Sequence, residues 1–265
     1  MLRTSEKLAA PAERSRLAAI EARSVDRSYK LYRSQKEKIA DALGVGWAVF
    51  GSKPPPNFPA LTDVSFRVAH GERVGVVGRN GAGKSTLLKL VSGLLRPTAG
   101  TLTVNGSVQM LMYVGLGFYP EFTGLENIRA SILYNDLPPD VRKHAEAEII
   151  AFAELHEFLH QPLRTYSLGM RSRLQFACAT ALRPDILIID EVLAVGDAYF
   201  LNKCVERIRK LTDTGCTLLL ASHAMPQILN FCDRAVWIEK GQLAMDSDAS
   251  AVVNSYQKFM QSLGT

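Results

Sequence analysis

Gly78-Arg79-Asn80-Gly81-Ala82-Gly83-Lys84-Ser85 fits the pattern G-x-x-x-x-G-K-[ST], with an apolar strand-like run before it and a helical run after it. Glycines at these places let successive backbone N–H groups turn toward phosphate oxygens, and a helix starting near Lys84 adds its positive end. Lys84 then meets the β- and γ-phosphates, the Ser85 hydroxyl suits Mg²⁺, and Thr86 follows on the helix. A chance match in a chain this long has a probability of about one per cent from average composition, before the flanking strand and helix are required. The stretch is read as a nucleotide-binding loop.

A second apolar run, Ile186–Ile189, ends in Asp190-Glu191. In a parallel sheet, ligands bind beyond the carboxyl ends of strands, so both acids should face the phosphate loop. Asp190 suits Mg²⁺, directly or through water, and Glu191 is placed to polarise an attacking water as general base. The other reading is a helix cap with a solvated neighbour. His223 ends a further apolar run, Thr217–Ser222, where it can meet a γ-phosphate; a structural role is the alternative.

Positioning these groups takes alternating strands and helices. Arg73–Val77, Thr101–Val104, Ile186–Ile189, Thr217–Ala221 and Arg234–Ile238 read as strands, and Lys84–Leu94 as a helix. That alternation implies a mostly parallel sheet with helices on its faces. Residues 121–182 are almost wholly helical in pattern and suggest an inserted helical subdomain. Ahead of the core, residues 1–18 form an Ala/Arg/Glu-rich arm, and Ala19–Tyr32 is strand-like. In Lys36–Phe50, Ile39, Leu43 and Trp47 recur every four residues, predicting a helical stripe for core packing or for a membrane-side contact. Gly51–Pro59, with Pro54-Pro55-Pro56, is expected to break the chain, making 36–59 an insertion.

Composition narrows the function classes. Of 265 residues, 47% are hydrophobic and 22% charged, which fits a packed globular chain and excludes a disordered one. No run approaches the ~18 apolar residues of a membrane span, nor does the N-terminus read as a secretory signal, so a cytoplasmic chain is expected. The net charge of +5 is local: residues 1–38 carry 10 Lys/Arg against 5 Asp/Glu, and the remainder balances at 21 against 21. A neutral body argues against nucleic acid as a partner. The basic arm is a solvated segment or a contact for anionic lipid headgroups or an acidic partner surface. Cys178, Cys204, Cys216 and Cys232 show no C-x-x-C pairing, consistent with a reduced compartment.

Together these residues resemble the ATP-binding subunits of ABC transporters from about Ala19 to Gly241. Tyr166-Ser167-Leu168-Gly169-Met170 stands where that family has its Leu-Ser-Gly-Gly-Gln signature, departing at Leu168 and Met170. Asp197, in Ala194-Val195-Gly196-Asp197, fits the D-loop, His223 the switch histidine, and Tyr29 the aromatic that stacks on adenine. Within the family, the stretches 166–174, 190–197 and 117–128 are similar to the polysaccharide-export branch: capsule, O-antigen and teichoic-acid exporters. The chain ends 42 residues after His223, like the shorter capsule-type ATPases. The family's Q-loop glutamine should fall near Val114 but does not; Gln109 is five residues upstream, and Tyr113–Glu121 is the expected docking cleft.

The resemblance implies an α/β fold: a P-loop NTPase core with a mostly parallel sheet flanked by helices, an inserted helical subdomain and an antiparallel N-terminal β portion. It implies ATP and Mg²⁺ as cofactors and an ABC-2-type membrane permease, in two copies, as partner. It places the subunit peripherally at the cytoplasmic face of the bacterial inner membrane, with the polysaccharide itself touched indirectly if at all. It also implies a head-to-tail homodimer, in which Ser167 and Gly169 of one chain face the nucleotide on the other's phosphate loop. Ser167 as a plain helix cap accounts for its position equally well. A DNA-repair or chromosome-maintenance ABC ATPase is the alternative function, but it would carry long heptads or zinc-binding cysteines, and neither is present.

Overall fold

The computed structural model describes residues 18–44, 55–111, 118–181, 183–190 and 198–263. Glu191, Asp197, Trp47 and the stretch 113–117 lie outside them, as do most of the N-terminal arm and Val114.

One six-stranded sheet is assembled from β3 (Arg73–Val77), β5 (Val108–Leu111), β6 (Ile186–Asp190), β7 (Thr217–Ala221), β8 (Arg234–Glu239) and β9 (Gln242–Asp248), in the order β5-β6-β7-β3-β8-β9. All neighbours are parallel except the β8–β9 hairpin. Apolar runs without alternation mark β3, β6 and β7 as strands buried on both faces, joined by the half-buried β5 and β8 and the alternating edge strand β9. Successive residues point into different cores: Ile186 and Ile188 join one cluster, Leu187 and Ile189 the other. Over the first face lie α2 (Lys84–Val91) and a three-stranded antiparallel sheet, β2-β1-β4, built from β1 (Ala18–Lys30), β2 (Asn57–Ala69) and β4 (Ala99–Val104). Over the second lie α6 (Ala198–Asp213), α7 (Met225–Phe231) and α8 (Ala249–Ser262).

Between β5 and β6 the described residues are mostly helical. They give α3 (Gly124–Tyr134), α4 (Pro139–Ala153), two short 3₁₀ turns and α5 (Leu168–Ala181), around a cluster that includes Ile128, Ile149 and Leu174. All four cysteines are free and buried, and burial pushes the thiols of Cys178, Cys204 and Cys232 up to about 12 and that of Cys216 to about 11. Thiols held that far from ionisation are packing residues.

Two boundaries differ from expectation. The helix begun in Lys36–Phe50 is short, α1 (Gln35–Ala42), capped by Leu43 and followed by Gly44 in the left-handed region (φ 66°). Ile39 and Leu43 are 58% and 73% exposed, so neither is core. The expected break also ends early. β2 begins at Asn57 and takes Phe58 and Pro59 into the sheet, where an edge strand tolerates a residue without an N–H.

Candidate nucleotide site

Strand order brings the sequence motifs together. β3 lies beside β7, and β7 beside β6, with Val76, Ala221 and Asp190 in lateral register across the three strands. The phosphate loop starts two residues beyond Val76, and His223 lies two beyond Ala221, so Lys84, His223 and Asp190 converge at one sheet edge. They line a cavity of about 260 Å³ with Tyr29, Phe58, Ala60, Arg79, Asn80, Gly81, Gly83, Ser85 and Thr86.

Two of the loop's glycines, Gly78 and Gly83, are forced by neighbours. Gly78 has φ 152°, and a Cβ there would stand 2.3 Å from the Ile238 carbonyl oxygen. Gly83, at φ 113°, would press a Cβ to 2.7 Å from the Ala60 carbonyl. Ala82 is buried and its carbonyl accepts from the Gly241 N–H at 2.8 Å, fixing the loop against the β8–β9 turn.

Lys84 is buried, and its Nζ donates to the carbonyls of Gly78 (2.7 Å) and Arg79 (3.1 Å). Burial lowers its pKa, with Asp190 acting against the shift. A desolvated ammonium held by neutral carbonyls can exchange them for phosphate oxygens, which pair with it more strongly. His223 Nε2 lies 3.5 Å from that ammonium. Burial first, then Lys84, hold the His223 pKa below the usual imidazole value, partly offset by Asp190. Its place is set by Ser222, whose Oγ accepts from the Ala224 N–H at 3.0 Å and donates to Gln227 at 2.7 Å.

Ser85 and Asp190 are oxygen donors lining the same cavity, a hard-ligand pair that fits Mg²⁺ completed by phosphate oxygens and water. The Tyr29 hydroxyl lies 3.5 Å from Thr86 Oγ1, tying the ring to the start of α2. Phe58 and Ala60, which sequence reasoning missed, reach the cavity because β2 extends back to Asn57 and pairs Phe58 with Tyr29. Only the register of that pairing exposes them; nothing in the local residue pattern does.

The signature stretch stands apart. Ser167 is exposed and caps α5: its Oγ accepts from the Met170 N–H at 3.2 Å and its carbonyl from the Arg171 N–H at 3.1 Å. Leu168 is 69% exposed, and no residue from Ser167 to Met170 lines the cavity of its own chain.

The 118–128 stretch explains how that helix start is held. Thr123 and Glu126 form a capping box on α3. Asn127, fully buried, accepts from the Tyr119 N–H at 2.7 Å and donates to the carbonyls of Tyr119, Phe122 and Thr123. The loop in turn receives the Leu163 and Arg164 N–H groups on the Phe122 and Pro120 carbonyls. Tyr166 is buried with its hydroxyl donating to the Phe158 carbonyl at 2.5 Å, and a Cβ at Gly124 would stand 2.2 Å from that oxygen. Gly124→Ala should therefore displace Tyr166 and cost about 1–3 kcal/mol, as overpacking does. Thermal unfolding reads this as a fall of several degrees; an unchanged midpoint would mean the contact relaxes freely.

The profile of the ABC transporter family matches residues 61–194, and the match runs through the phosphate loop, the signature stretch and Asp190. The chain belongs to the ABC transporter family. It is 41% identical over 237 residues to the O-antigen export system ATP-binding protein RfbB of Klebsiella pneumoniae, covering 89% of this chain and 96% of that one. It is 39% identical over 241 residues to the ABC transporter protein AbcA of Aeromonas salmonicida, spanning 91% of this chain and 76% of the relative. Against the teichoic acids export ATP-binding protein TagH of Bacillus anthracis it is 38% identical over 237 residues, 89% of this chain but 42% of the longer relative. A solved ATP-binding subunit of an ABC transporter superposes with TM-score 0.72 at 22% identity, over 90% of this chain and 93% of that one. A dimeric ATP-binding cassette in a post-hydrolysis state with ADP and Pi gives 0.67 at 21%, over 87% and 98%. At those identities the structures speak for the α/β fold, which this family member shares.

Proposed function

We propose that this chain is the ATP-binding and ATP-hydrolysing subunit of an exporter that moves a lipid-linked polysaccharide across the inner membrane. One observation carries the chemistry: the strand order gathers Lys84, Ser85, Asp190 and His223 around one cavity. Resemblance over most of the chain to relatives named for O-antigen and teichoic-acid export supports the cargo class.

Lys84, the 78–86 loop and the amino end of α2 hold the triphosphate. Ser85 and Asp190 would hold Mg²⁺, which when bound would neutralise charge on the phosphate oxygens. His223 contacts the γ-phosphate, and Glu191, next after Asp190, accepts the proton of the attacking water. Asp197 and the 167–170 stretch act across a head-to-tail dimer.

The permease is of the ABC-2 type, present in two copies, and holds this subunit at the cytoplasmic face. None of the described helices is long and apolar enough to cross a membrane. A groove of about 480 Å³, lined by Leu94, Met110, Phe118, Tyr119 and Tyr134, offers a seat for the permease, and Tyr134 is 90% exposed there. Exposed Ile39 on α1 and Leu43 capping it suit a second contact on the membrane side.

The test is Glu191→Gln. It should bind ATP with unchanged affinity yet hydrolyse it at least a hundredfold more slowly, within the ~10²–10⁴ range of a lost general base. Turnover near that of wild type would remove Glu191 from this role. Export itself is read by assaying surface glycan in cells carrying the variant.

A further inference from the structure

We propose that Phe58 is a second nucleobase contact, forming with Tyr29 a two-ring platform that favours purine over pyrimidine nucleotides. This rests on the nucleotide reading of the cavity and deepens it. Tyr29 and Phe58 are direct antiparallel partners on β1 and β2, and both line the cleft. Side chains of such partners stand side by side on one face of the sheet, within reach of a single flat ligand.

The two rings differ in what surrounds them. The Arg27 guanidinium lies 4.9 Å from the centroid of the Tyr29 ring and is itself held by donating to the Arg96 carbonyl at 3.0 Å. One face of Tyr29 is therefore occupied within its own chain, which leaves the other for a base. Phe58 is 48% exposed, a large apolar ring at the mouth of a phosphate-binding cavity. Two residues on, Ala60 also lines the cleft, and its small side chain leaves room between Phe58 and the phosphate loop. The Pro56 carbonyl accepts from the Leu31 N–H at 3.0 Å, pinning the strand ends that carry both rings. A fused purine covers two rings better than a single pyrimidine does, so Phe58 adds more to ATP than to CTP.

Calorimetry on the full chain with Mg²⁺ should compare ATP, CTP and inorganic tripolyphosphate on wild type, Phe58→Ala and Phe58→Tyr. Phe58→Ala should weaken ATP about tenfold, in the range of one lost base–aromatic stack. CTP should weaken less, and tripolyphosphate, which has no base, should bind as before. Phe58→Tyr should restore ATP affinity. Unchanged ATP affinity in Phe58→Ala overturns the proposal, as does an equal loss for ATP and CTP. So does a parallel loss of tripolyphosphate, which would assign Phe58 to holding the loop. Failure of the wild-type chain to bind ATP is a separate result and would sink the nucleotide reading instead.

Discussion

Lys84→Ala binds ATP about 10–100-fold more weakly than wild type, the loss expected when a charge-assisted contact to phosphate disappears. Two effects add. The ammonium that would meet the phosphates is gone, and so are its bonds to the Gly78 and Arg79 carbonyls, which brace the loop before any ligand arrives. Because Lys84 is buried, alanine also leaves a void under the loop. Hydrolysis falls with binding and further, since the same charge stabilises the phosphoryl group as it is transferred. Calorimetric titration with ATP, beside a thermal melt to show that the fold survives, measures it. An affinity within twofold of wild type would mean that Lys84 serves only the loop's shape.

Mixing two inactive chains should restore activity. Ser167 lies in the helical subdomain outside the cavity that Lys84 lines, so the proposed dimer places the two on opposite sides of one ATP, from different chains. Lys84→Ala and Ser167→Arg homodimers each carry a lesion in both sites. A mixed dimer concentrates both lesions in one site and leaves the other intact. At equal amounts, random pairing in a two-fold dimer leaves roughly a quarter of all sites whole. If one intact site can fire, ATPase activity measured with the membrane subunits present should peak near the equal mixture. A mixture as inactive as its parents, beside a wild-type/mutant control that retains one-site activity, would place Ser167 in its own chain's chemistry or in none.

That Lys84, Asp190 and His223 meet at one cavity was readable from residue type and order, because their placement depends on local backbone. A Gly-rich turn between an apolar strand and a helix makes a phosphate cradle wherever it occurs, and Gly78–Ser85 is continuous in the chain. The same holds for Asp190 and His223: each follows an apolar run that can only be a strand buried on both faces, and such strands end at one edge of a parallel sheet. Ser167 at a helix start was legible for the same reason, a hydroxyl three residues before an otherwise unsatisfied N–H. The Gly124, Glu126 and Asn127 positions stood out as a pattern without a cause. Their causes are contacts with Tyr166, Thr123 and the 119–123 carbonyls.

Periodicity misled at α1. Ile39 and Leu43 share a helical face, yet α1 stops at Ala42 and leaves both in solvent, because a stripe states only which residues could be buried together. The proline-rich stretch hid the start of β2 for a related reason: proline forbids helix, yet Pro59 is at home on an edge strand, and which strands are edges is a property of the assembled sheet. Phe58 entered the cleft through that same assembly, since its partner Tyr29 lies 29 residues away and their register is set by the whole β1–β2 ladder. Groups that act through their own backbone neighbourhood are thus written in the linear order of residues. Cleft walls, helix ends and the separation of Ser167 from Lys84 depend on contacts between distant segments, and those exist only once the chain has packed.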